Sequence, residues 1–164
     1  MALLHIFDSS DPRIKQTAGV RGVVDRLPVS DGDNWLPRLT VSFRQVRDSN
    51  VFFETHGSPG CIYLGNKLIS ADWWRSVTDR NYTILITANA RVYFNGCNVA
   101  EGASGWDFLE AVVAVLLTPG GGEVFAQTSI GFGNPFNGHV VHLWGSTRRL
   151  FVNRDGRIIE RFEQ

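Results

Sequence analysis

His56 and Cys97 are the residues whose types and placement best suit this chain to chemistry. Each lies where an apolar run ends: the histidine follows Val51-Phe52-Phe53-Glu54-Thr55, and the cysteine follows Val92-Tyr93-Phe94-Asn95-Gly96. Two buried parallel strands stopping side by side would present both on one edge of a sheet, where open α/β sheets bind their ligands. A thiol beside an imidazole is a candidate nucleophile and base. Gly57 follows the histidine and Gly96 precedes the cysteine. Glycines there let backbone N–H groups approach an incoming carbonyl, as an oxyanion hole requires. Glu54 alternates with His56 along the strand, which suits it equally to orienting the imidazole or to being a solvated charge.

The elements that must position this pair are partly legible. Residues 2–7 read as a short strand, closed by the turn or cap cluster Asp8-Ser9-Ser10-Asp11-Pro12. Residues 13–31 are ambiguous, with a second short strand expected around 22–25. The spacing of Trp35, Leu36, Leu39, Val41, Phe43 and Val46 mixes two periods, and a helix is the reading favoured. A strand over 51–55 follows, then a turn over 57–60 and a small hairpin over 61–68. Ser70 caps a helix expected to run to about residue 86. Residues 92–94 form the next strand. Trp106, Leu109, Val112, Val113 and Leu116 mark a helix from Gly102 to Leu117, stopped by Pro119 and the glycines behind it. A strand over 123–128, an aromatic-glycine loop over 131–138 and a β ribbon over 140–144 and 149–152 complete the chain. The middle alternation of strand and helix predicts one α/β domain over 1–164, a mostly parallel sheet with a β-rich C-terminal addition.

Bulk properties narrow the function. At 164 residues with 43% hydrophobic content and 20% charged, a packed core is expected and disorder is not. Sixteen basic residues balance sixteen acidic ones, so neither nucleic acid nor an anionic membrane is expected as a partner. The N-terminus lacks the basic region of a signal peptide and no apolar run reaches membrane-spanning length. A cytoplasmic location is the default expectation, with non-classical secretion left open. Two cysteines, Cys61 and Cys97, do not make a disulfide scaffold. Cys61 reads as structural. His139 and His142 would point to opposite faces of a strand, so no metal or other cofactor is expected. Both histidines read as ordinary strand residues, Trp73 and Trp74 as helix packing, and Trp144 as core filling.

An apolar strand ending in His-Gly, followed about forty residues later by an apolar strand ending in Cys, resembles the pattern of caspase-like cysteine peptidases. The nearer likeness is to a bacterial caspase-like domain of unknown function found in large surface or adhesin-type proteins. Its hallmarks resemble His56-Gly57-Ser58-Pro59-Gly60 with Leu64-Gly65, and Gly96-Cys97-Asn98-Val99-Ala100-Glu101-Gly102 with Gly105, Phe108 and Ala126-Gln127-Thr128. The resemblance implies a three-layer caspase-like fold, His56 as general base, Cys97 as nucleophile, and the backbone of Gly57 and Cys97 as oxyanion donors. It departs at Asn95, where relatives that prefer arginine or lysine carry an acid. Asp8 is the alternative acidic wall for a specificity pocket, so a basic P1 preference is only weakly implied. The implied activity is a cysteine endopeptidase acting on a peptide or protein, as an effector or self-processing module. A non-catalytic binding module, and acyl transfer or hydrolysis of a non-peptide substrate, use the same residues. The oligomeric state is not indicated.

Overall fold

The computed structural model describes residues 3–20, 25–38, 50–79, 89–118, 120–133, 136 and 140–164. Its centre is a seven-stranded sheet. The strands are β1 (Leu3–Asp8), β2 (Asp25–Val29), β3 (Asn50–Glu54), β7 (Ala90–Asn95), β8 (Gly122–Gln127), β11 (Thr147–Val152) and β12 (Ile158–Glu163). They lie in the order β12-β11-β8-β7-β3-β1-β2. The five strands from β2 to β8 are mutually parallel, whereas β11 runs antiparallel to β8 and β12 antiparallel to β11. The chain thus builds outward from β1 in both directions, which leaves a crevice at the strand C-termini beside β1 and β3.

The apolar runs become strands because they alternate between two buried faces. Leu4, Ile6, Val51, Phe53, Val92, Phe94, Val124 and Ala126 are at most 1% exposed. They share one core with Trp74 of α2 (Ala71–Asp79) and with Phe108, Leu109 and Val112 of α3 (Gly102–Val112). Phe53 stacks on Phe94, and Phe94 meets Phe108 edge-on. The alternate residues face the other way, where Phe7 packs with Ile14 and Ala18 of α1 (Pro12–Val20). Burial on both faces is the ordinary condition of a parallel sheet.

Helix α1 starts where it does because Asp11 caps it. One Asp11 carboxylate oxygen, Oδ1, accepts the Arg13 and Ile14 amides at 2.7 and 3.0 Å, and Pro12 takes the first helical position. Helix α3 loosens into a π-helical turn at Val113–Leu117. Of the strand expected around 22–25 only Asp25 lies within the described residues, where it begins β2. Residues 35–38 are helical, and the remainder of the helix expected over 35–46 lies outside them. The same holds for the end of the helix expected to reach residue 86.

Four expectations are corrected. The segment after His56 is a three-stranded meander, β4 (His56–Ser58), β5 (Cys61–Leu64) and β6 (Lys67–Ser70), so the turn shrinks to Pro59-Gly60. The aromatic-glycine loop contains strand β9 (Ile130–Gly133), which pairs with β10 (Val140–Leu143) in a ribbon of its own. The strand over 149–152 belongs instead to β11 in the central sheet, because β8 offers it a free antiparallel edge. Trp144 is 86% exposed and does not fill the core, whereas Trp74 is fully buried and Trp73 stacks on Trp35. Among the described residues no helix is long and apolar enough to cross a membrane.

Candidate active site

Strands β3 and β7 are neighbours in register, Glu54 beside Asn95. Their extensions therefore leave the sheet together, one into His56-Gly57 and the other into Gly96-Cys97. The two glycines are what allow the segments to touch. A side chain on Gly57 would begin 2.5 Å from Val99 Cγ2 and 2.7 Å from the Cys97 carbonyl oxygen. One on Gly96 would begin 3.2 Å from both the backbone nitrogen and Cα of Gly57. The expected oxyanion donors, the amides of Gly57 and Cys97, thus belong to backbones in direct contact.

The cysteine turn, residues 97–100, is tied on three sides. The Asn98 amide donates to the Ser129 carbonyl at 2.9 Å, and the Ala100 amide to that of Gln127 at 3.0 Å. The Val99 carbonyl accepts the Gly60 amide at 3.0 Å. Arg148 holds the Ala100 carbonyl at 2.8 Å and lies over the Trp106 ring. Helix α3 presses against the same turn at Gly105, where a side chain would begin 2.1 Å from the Ala100 carbonyl carbon. Asn98 itself adopts φ 56°, a left-handed conformation that asparagine tolerates better than most residues.

His56 and Cys97 line one cleft of about 340 Å³ between α1 and the β9–β10 ribbon, with Glu54 and Asn95 also in its wall. The His56 Nε2 lies 2.9 Å from Asp11 Oδ2, the oxygen of Asp11 that α1 does not use. Burial opposes the Asp11 charge, but the His56 bond and the Ile14 and Arg13 amides outweigh it and hold the carboxyl below its ordinary value. With Nε2 so engaged, Nδ1 is the imidazole nitrogen left for a thiol proton. Cys97 is half-buried and free, and the Gly131 amide donates to its sulfur at 3.4 Å. The Gly131 carbonyl lies 3.7 Å from the same sulfur.

The other named residues fall elsewhere. Glu54 does not orient His56: it is 4% exposed and pairs at 2.7 Å with the fully buried His5. Asp8 is 4% exposed and accepts the Ser10 amide and hydroxyl, and it is not part of the cleft wall. Cys61 is a buried free thiol in β5. His139 lies outside the described residues. Among those described, no three His, Cys, Asp or Glu side chains cluster as a metal site.

Asp11, read as part of a turn or cap cluster, and Gly131, read as part of a loop, reach His56 and Cys97, and His142, read as an ordinary strand residue, reaches Asn95 beside them. Asp11 looked like a turn residue, and Asp-Pro before a helix signals only a cap. His142 Nε2 lies 2.9 Å from Asn95 Oδ1 and 3.3 Å from the Tyr93 hydroxyl, across a gap of nearly fifty residues that no local pattern bridges.

Fold and site together define an α/β protein with a mostly parallel sheet and a cysteine and histidine in one cleft at its C-terminal edge. The chain belongs to the family described as a domain of unknown function (DUF4347), whose model matches residues 31–130. No curated protein and no solved structure matches it.

Proposed function

We propose that this chain is a cysteine hydrolase of caspase-like, three-layer architecture, acting on peptide bonds through Cys97 and His56. The observation that carries the reading is the Asp11–His56 bond at 2.9 Å in the cleft that holds Cys97. A base oriented by a carboxylate beside a nucleophile is the arrangement that activates thiols and hydroxyls in unrelated hydrolases. Cys97 Sγ attacks the substrate carbonyl carbon while its proton passes to His56 Nδ1. The Gly57 and Cys97 amides face the oxyanion that develops. The carbonyl re-forms, the amine leaves with the proton from His56, and water then hydrolyses the thioester.

The P1 residue is unassigned. A basic side chain entering the cleft would meet Glu54, which lines it, in place of Asp8. Digestion of an unbiased peptide library by wild type and Cys97→Ala tests the reading. Cleavage that requires Cys97 is expected; its absence would leave a non-catalytic binding module. That second reading draws on one observation: the hydrogen bonds of Cys97 run to Gly131, not to His56. An acyl-transfer reaction on a non-peptide substrate would use the same groups and be found with activated esters.

A further inference from the structure

The β9–β10 ribbon reaches Cys97 through Gly131, and His142 stands directly opposite Gly131 in the ribbon register. The imidazole packs against that glycine: a side chain there would begin 2.8 Å from His142 Cε1. From this position His142 reaches the strand end that leads into the cysteine turn. Its Nε2 meets Asn95, two residues before Cys97, where the Tyr93 hydroxyl also donates to Asn95 Oδ1 at 3.3 Å. Strand β9 begins next to the same turn, where the Ser129 carbonyl accepts the amide of Asn98, the residue after Cys97, at 2.9 Å.

We propose that His142 is a positioning residue which fastens the ribbon to the end of β7 and so keeps the Gly131 amide on Cys97 Sγ. The chemical consequence is specific. An N–H donor directed at sulfur favours the thiolate, because hydrogen bonds to charged groups exceed those to neutral ones. Ribbon residues without a polar anchor would not achieve this. Ile130, Phe132, Val141 and Leu143 are 39–59% exposed, so apolar burial does not hold the ribbon down. The inference rests on reading Cys97 as a nucleophile, but its test does not require turnover.

The measurement is the pH titration of the ultraviolet thiolate band of Cys97, taken as wild type minus Cys97→Ala. The same difference is recorded in His142→Leu and His142→Gln backgrounds. Besides Cys97 and His142, the charged and titratable groups around this cleft are Asp11 at the cap of α1, Arg13 of α1, Glu54 of β3 with its partner His5, His56 of β4 and Tyr93 of β7, and all are retained in every variant. His142→Leu keeps the bulk and removes the anchor, and its midpoint is expected to rise by about one pH unit. His142→Gln keeps a donor for Asn95 and is expected to titrate like wild type. A midpoint unmoved in His142→Leu, or moved equally in both variants, overturns the proposal. If His142→Leu does not fold, Asn95→Ala, which removes the acceptor of the same bond and keeps the histidine, must raise the midpoint, and no rise there overturns it equally. Failure of the peptidase reading shows separately, as absent cleavage in the peptide library.

Discussion

Asp11 divides its carboxylate between two tasks: Oδ1 caps α1, and Oδ2 holds His56 Nε2 at 2.9 Å. The helix start thereby sets the orientation of the cleft histidine. Asparagine preserves the cap but not the charge. Asp11→Asn is therefore expected to leave thermal stability near wild type and to lower kcat/KM roughly tenfold or more. Asp11→Ala should lose the same activity and also about 1 kcal/mol of stability. Calorimetry and peptide cleavage on both variants separate the two tasks; equal activity in Asp11→Asn and wild type would remove Asp11 from the site.

The contact between Gly57 and the Cys97 backbone has no room for a methyl group. Gly57→Ala is expected to displace the cysteine turn, with roughly 1–3 kcal/mol of destabilisation and loss of Cys97-dependent cleavage. Val99→Ala removes the nearest obstructing atom. Adding it to Gly57→Ala should recover part of the activity, while the cost of the new cavity remains. Chemical denaturation and cleavage assays on the pair measure the coupling.

His142 gives the fold a pH dependence of determinate sign. Burial pushes its pKa below the ordinary histidine value of 6.5, with the Ser129 carbonyl partly opposing. The unfolded chain takes up the proton first as pH falls, so this contribution is complete above about 6.5 and is lost as pH drops through the lower native value. Denaturation at pH 7.5 and 5 should show less of this loss in His142→Gln than in wild type. An identical loss in both would assign the dependence to other groups.

Phe132 lines the cleft and is 59% exposed. As an uncovered aromatic beside Cys97, it offers apolar surface to a bound peptide. Phe132→Ala is expected to raise KM several-fold with kcat little changed, because contact remote from the reacting bond binds substrate and transition state alike. A fall in kcat at constant KM would contradict this.

The paired apolar runs, their alternation and the flanking glycines made the His56–Cys97 edge readable from sequence, since a strand declares its period locally. Helix α3 was equally plain, because its apolar stripe repeats over three turns. The β9 strand was not: Ile130-Gly131-Phe132-Gly133 carries two glycines, and its pairing with β10 spans residues that share no local signal. Glu54 was misassigned for a related reason. Two residues before His56, it looked free to reach the imidazole, but its neighbour across the sheet is β1, where the buried His5 claims it.

The sequence by itself determined that a thiol and an imidazole would stand past the ends of two adjacent parallel strands and line one cleft. Strand length and alternation are short-range properties, and the glycines beside each residue are visible in the chain. Only the tertiary structure decided what surrounds the pair. Asp11 and Gly131 come to it from a helix cap and a separate ribbon, with His142 of that ribbon on Asn95, through hydrogen bonds that depend on distances of a few ångströms between segments far apart in the chain.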